Sequence, residues 1–332
     1  HRPSPPARSL HVEPPLMTRT SRRSFLDRCL HTSLTAGLAA PATAWLGAQT
    51  ARAAEEARLA QRPSVKGTLR LKARRRESRG EQVAEIRETI DWDVASTAIV
   101  ICDMWADHPC HQAAIRVDAM APGMNRVVSA ARGLGVTVVH APSSGIKFYE
   151  KTPFRSRILQ APSTRPPVPI ASWCKLDPQT EAPLPIDDSD GACDDPVVKP
   201  KPGFDRHQHP AIKITGFDGI SDNGQEVYNF FVQLGIRNVV LMGVHTNMCV
   251  LGRSFGIRQM VRLGLNVVLT RDLTDAMYDP RDRPYVSHTR GTELVVEHIE
   301  RYWCPSILGG DLTRVVTGSD STATRSAGKP AG

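Results

Sequence analysis

Between residues 97 and 305 the chain alternates two kinds of apolar segment. The run Thr97-Ala98-Ile99-Val100-Ile101-Cys102 is apolar without alternation, the pattern of a strand covered on both faces, as in parallel sheets. Residues 112–134 place Ile115, Met120, Val127, Val128 and Ala131 at helical spacing and end beside Gly133 and Gly135. Val136–His140 is a second buried strand. The unit then recurs: a helix over Asn223–Leu234 stopped by Gly235, a strand over Arg237–Met242, a helix over Cys249–Leu263 followed by Gly264, a strand over Leu265–Thr270 and a last helix over Glu293–Tyr302. Strands and helices alternating through short glycine-marked loops predict a doubly wound α/β domain, a parallel sheet with helices on both faces. Ahead of it, Thr68–Lys72 and Ile86–Trp92 are β-prone around the charged stretch Arg74–Glu81 and predict an N-terminal β-hairpin.

The flanking segments are of a different character. Ser21-Arg22-Arg23-Ser24-Phe25-Leu26, a mild apolar stretch over 29–48 and the small-x-small site Ala51-Arg52-Ala53 follow one another in the order of a twin-arginine export signal. Residues 1–16 precede the first Met and read as an upstream extension of it. The expected division is therefore 1–53 signal, 54–94 linker and hairpin, 95–316 the α/β domain and 317–332 a disordered Ser/Thr/Gly/Ala-rich tail. The expected location is the periplasm or beyond. Disulfides are permissible there, and Cys174 and Cys193, flanking an acidic loop at Asp187–Asp195, are candidates for one.

Charge changes the picture little. Of the formal net charge of +8, most sits in residues 1–53, with seven Arg against two acids. No basic face with interleaved aromatics remains, so nucleic acid is excluded as a partner. No apolar run reaches the roughly 18 residues of a membrane span, so no membrane partner is expected after signal removal. A small molecule is the expected ligand.

Ligands of such sheets bind beyond the carboxyl ends of the strands. That rule selects Asp103, His140 and the segment Gly243-Val244-His245-Thr246-Asn247-Met248-Cys249. Cys249 opens a helix, where unpaired amides and the helix dipole stabilise a thiolate and a developing oxyanion. Asp103 is a base within reach of such a thiol. Position alone fits equally a buried structural thiol and a helix-capping carboxylate.

The two segments together, Ile101-Cys102-Asp103-Met104 and Gly243-Val244-x-Thr246-x-x-Cys249-Val250, resemble the isochorismatase-like cysteine hydrolases, a superfamily of nicotinamidases, N-carbamoylsarcosine amidase and isochorismatases. The similarity extends through Thr215-Gly216-Phe217 and Gly235-Ile236 and spans residues 95–305. It implies a Rossmann-like three-layer fold, usually assembled as a dimer or tetramer. It also implies an Asp–Lys–Cys triad, with Asp103 as general base and Cys249 as nucleophile. Lys199, at the strand-like end of Pro196–Lys201, is the first choice for the cation; Lys201, Arg206 and His207 are the alternatives. A non-proline cis peptide at Val244–His245 is implied too, with the amides of His245 and Cys249 as the oxyanion hole.

The superfamily's Asp-x-His metal pair is replaced here by His140-Ala141-Pro142-Ser143-Ser144. Asp103, His108, Cys110 and His111 are metal-ligating types, but their spacing matches no standard site. No metal ligands and no cofactor are therefore assigned, and Trp105, His108, His140 and Asn247 are taken as substrate-binding. The activity implied is hydrolysis of a small amide or ureide through a Cys249 thioester. The alternatives are vinyl ether hydrolysis without a covalent intermediate, and a non-catalytic binding protein on the same fold.

Overall fold

The computed structural model describes residues 61–63, 66–80, 82–197 and 203–316. The signal, most of the linker, Lys199, Lys201 and the tail lie outside the described residues.

The described residues form a sheet of nine strands. In chain order the elements are β1 (Thr68–Arg79), β2 (Gln82–Asp93), β3 (Thr97–Cys102), α1 (His111–Gly133), β4 (Thr137–Ala141), α2 (Pro153–Leu159), β5 (Gly219–Ile220), α3 (Gly224–Leu234), β6 (Asn238–Val244), α4 (Cys249–Gly252), α5 (Ile257–Arg262), β7 (Asn266–Asp275), α6 (His288–Tyr302), β8 (Ser306–Ile307) and β9 (Val315–Val316). The strand order is β2-β1-β8-β7-β6-β3-β4-β5, with β9 on β1. From β5 to β8 every pairing is parallel; β1 joins β8, and β2 joins β1, antiparallel.

The unbroken apolar runs are explained by double coverage. All six residues of β3 and all seven of β6 are buried. One face packs Val100, Val239 and Leu241 with Phe230 and Phe231 of α3, Met260 of α5 and Val295 of α6. The other packs Ile99, Ile101, Val240 and Met242 against Val117, Ala121, Met124 and Val128 of α1. Ile115, expected on that inner stripe, is exposed, and the alanines carry the contact instead.

Two elements differ from expectation. The charged stretch 74–79 is strand, not turn; the reversal sits at Gly80, whose φ of +63° suits glycine. Arg75 pairs with Glu88 across the ladder and Arg70 with Asp91, so charge is matched between strands. The single helix expected from Cys249 to Leu263 is broken into α4 and α5 at Ser254–Gly256. There the Ser254 hydroxyl accepts the Gly224 amide at 2.9 Å, seating the start of α3 against the break. No helix among the described residues is long and apolar enough to cross a membrane.

Candidate functional site

The chain order reverses between β3 and β6, which lie side by side and both end at one sheet edge. This is the switch point at which α/β sheets form a crevice. β3 delivers Asp103, in the left-handed region at φ +46°, an uncommon geometry that Asp tolerates better than most residues. β6 delivers the loop to Cys249. The strands approach so closely that a Cβ on Gly243, at φ +108°, would stand 2.1 Å from the Cys102 carbonyl. The Val244–His245 peptide is cis, as expected. Within the loop, Thr246 donates to the Asp275 carbonyl and Met248 and Val250 donate to that of His245.

Asp103, Cys249 and Arg253 meet at this edge. The Asp103 side chain is 1% exposed as a residue and hydrogen-bonded to the Cys249 thiol. One carboxylate oxygen accepts the Ser143 amide at 2.7 Å; the other faces the Arg253 guanidinium at 3.3 Å. Arg253 lies four residues after Cys249, one helical turn on, and also reaches the thiol. Burial raises the Asp103 carboxyl above its ordinary 3.8, with Arg253, Cys249 and Ser143 pulling the other way. Burial, then the Asp103 charge, push the Cys249 thiol up to about 12 against the pull of Arg253. The expectation of a thiolate held by a helix N-terminus is thus corrected: α4 is a single turn, and at rest the thiol keeps its proton beside a base. Arg253 opposes its own desolvation through Asp103 and Cys249 and stays charged.

Arg253 was not among the expected cations. Lys199 and Lys201 lie outside the described residues. Arg206 lies over the Phe204 ring, 4.1 Å from its centroid, and His207 stacks on Phe148 at 3.7 Å and is paired to Asp205. Among the described residues Arg253 is the cation that meets Asp103. Trp173 helps seat it: the guanidinium lies 5.5 Å from the ring centroid, and a Cβ on Gly252 would strike that ring at 2.7 Å.

Trp105 and His108 stack at 5.9 Å, Phe204 tilts against both, and His108 meets the His245 ring edge-on at 4.8 Å. Burial and the neighbouring His108 lower His245 to about 3, so its imidazole is neutral. Among the described residues, buried Trp105 Nε1, His245 Nε2 and the Gln208 amide have no hydrogen-bond partner, although Gln208 pairs by backbone with Trp105. Such groups are costly unless a ligand satisfies them.

Two expected ligand contacts are corrected. His140 is fully buried and its Nε2 meets Asp218 at 2.9 Å, where Arg132 of α1 also binds. It points to the α1 side of the sheet and serves packing. The Asn247 amide is occupied at both ends: it accepts the Met277 amide and donates to the Met277 carbonyl and to Asp188 at 2.8 Å. It clamps the acidic loop to the nucleophile loop. The Cys174–Cys193 pairing is also overturned. Cys174 hydrogen-bonds Gln259, Cys193 lies with Cys110, and all three are free thiols.

The isochorismatase-domain family model matches residues 97–284, more than half of the chain. The chain belongs to the isochorismatase family. Among solved structures the chain is similar to a cysteine hydrolase from Pseudomonas syringae pv. phaseolicola, 14% identical over 67% of this chain and 92% of that one, at a TM-score of 0.40. An isochorismatase from Pseudomonas putida is 11% identical over 65% and 90%, also at 0.40. An isochorismatase-like hydrolase from Alkaliphilus metalliredigens is 14% identical over 67% and 98%, at 0.39. Among curated proteins none matches. Within this isochorismatase-family hydrolase, the matched range contains Asp103, Cys249 and Arg253 alike.

Proposed function

We propose that the protein hydrolyses a C–N bond of a small amide or ureide through a Cys249 thioester. The observation that carries this reading is the buried contact of Asp103, Cys249 and Arg253 at the ends of β3 and β6. Asp103, its basicity raised by burial, takes the thiol proton as the sulfur attacks the carbonyl carbon. Arg253 compensates the negative charge as it passes from carboxylate to sulfur. The carbonyl oxygen becomes an oxyanion, for which the amides of His245 and Cys249 are the proposed donors, the loop's own bonds using those of Thr246, Met248 and Val250. Collapse of the intermediate breaks the C–N bond, and the amine departs with the proton held by Asp103. Water then gives a proton to Asp103 and its oxygen to the thioester carbon. The acid is released and the thiol restored with that proton. The stacked Trp105 and His108 rings supply a flat aromatic surface, and the partnerless Gln208 and His245 atoms supply polar contacts, which favours a small, planar, polar substrate. Export by the twin-arginine route is part of the same proposal and rests on the sequence of residues 1–53.

The test is ammonia release by the chain from residue 54, offered a panel of small primary amides and ureides, with Cys249→Ala as control. Release from at least one member that disappears in the variant is expected. Release that survives in Cys249→Ala would overturn the thioester route.

A further inference from the structure

We propose that Cys110, Cys193 and Asp195 form a binding site for a soft divalent cation of the zinc class, separate from the Asp103–Cys249–Arg253 centre. The two sulfurs and a carboxylate oxygen all lie within 4.8 Å of one another. Cys110 Sγ is 3.5 Å from Asp195 Oδ1 and 3.6 Å from Asp194 Oδ1. Two thiolates bound tetrahedrally at the usual zinc–sulfur length stand about 3.8 Å apart, which this spacing accommodates with small shifts. Thiolate donors select zinc-like cations over magnesium or calcium.

The donors come from distant parts of the chain and are held in place by bonds that do not involve the sulfurs. Cys110 is buried and immediately precedes α1. Asp195 accepts the first amides of that helix, from His111 at 3.0 Å and Gln112 at 2.9 Å. Arg281 donates to the Cys193 and Asp195 carbonyls. Ala192, Met277 and Ala113 pack around the pair. The His111 and Gln112 amides already support the Asp195 carboxylate, so the two sulfurs beside it are the groups that would need positive charge to ionise. A divalent cation supplies that charge: two S–H bonds break, two S–metal bonds form, and two protons leave to solvent. Cys193 is only half-buried, so a cation could reach the pair from solvent. Of the metal-ligating types Asp103, His108, Cys110 and His111 near one another in sequence, only Cys110 takes part. Through Asp188 and Asn247 the same acidic loop is tied to the nucleophile loop, so the cation would brace the site from outside.

The full chain, stripped with chelator and reduced, is titrated with cobalt(II) and then zinc(II). One equivalent of cobalt giving thiolate charge-transfer absorbance in the near ultraviolet, bleached by zinc, is expected. Cys193→Ser and Asp195→Asn should each weaken cobalt binding at least about tenfold. Cys249→Ala should bind as the parent does. Circular dichroism of Cys193→Ser confirms that the variant is folded, and Asp195→Asn serves if it is not. Absence of the absorbance in the reduced parent, its persistence in folded Cys193→Ser, or its loss in Cys249→Ala would overturn the proposal. So would a Cys110–Cys193 disulfide in the protein as purified, found by mass spectrometry, since the thiols would then be committed to each other. None of these readouts depends on turnover, so failure here is distinct from failure of the hydrolase reading.

Discussion

Two arginines five residues apart, Arg253 after α4 and Arg258 in α5, each meet a buried carboxylate, and the outcomes are opposite. Arg258 grips Glu181 with two nitrogens, at 2.9 and 2.6 Å, and His298 adds a third contact at 2.9 Å. Burial alone would raise that carboxyl, but His298 and Arg258 together hold it down at about 2. Arg253 stands 3.3 Å from Asp103, shares itself with a thiol, and leaves burial the stronger influence. A fully matched buried carboxylate is locked as an anion and does structural work. A partly matched one keeps an appetite for a proton. The pair at Arg258 ties the 174–181 loop to α5 and α6; the pair at Arg253 is equipped for chemistry.

Each side of the comparison can be broken. Cys249→Ala should lower turnover by several orders of magnitude, because Cys249 is the thiol that meets Asp103 and Arg253 together. Asp103→Asn should cost on the order of 10²- to 10⁴-fold in kcat, the range for losing a general base, with the fold retained by circular dichroism. Arg253→Ala should cost on the order of a hundredfold, and Arg253→Lys should recover part of it, since charge matters here more than a two-pronged grip. Glu181→Gln should do the reverse. It leaves Arg258 buried without its anion and should destabilise by about 3–5 kcal/mol in denaturant unfolding, while kcat of the folded fraction stays within about twofold.

The pH dependence sharpens the contrast at smaller cost. Glu181 is depressed from its ordinary 4.5 to about 2, so its contribution is complete above pH 4.5 and is lost as pH falls from there toward 2. Thermal melts should show a fall in stability over that window, absent in Glu181→Gln. Asp103 has the opposite sign: its raised carboxyl must be ionised to act as a base. The kcat/KM profile should therefore lose activity on acidification at a pH above the ordinary carboxylate value of 3.8.

The fold was legible where burial is two-sided. The runs 97–102 and 237–242 suit covered strands, and their ends point to Asp103 and Cys249. Legibility failed where charge is matched locally. Arg74–Arg79 reads as a turn by composition, yet cross-strand Glu85 and Glu300 of α6 pair with its arginines and it continues strand β1. His140 stands at the right strand end, but its side chain follows the alternation of Val138 to the α1 side, where Asp218 waits. Arg253 is hidden because the sequence from Cys249 to Leu263 predicts one continuous helix and the family resemblance places the cation upstream. Its one available signal was the four-residue spacing from Cys249, which puts a guanidinium one turn from the thiol.

The central claim is that Cys249 carries the acyl group during turnover. The most direct measurement is intact and peptide mass of the protein acid-quenched while hydrolysing an active amide, repeated with hydroxylamine as competing nucleophile. The account predicts an acyl adduct confined to Cys249, its diversion to the hydroxamate by hydroxylamine, and no adduct in Cys249→Ala. Full turnover with no adduct, no hydroxamate and an active Cys249→Ala protein would contradict it.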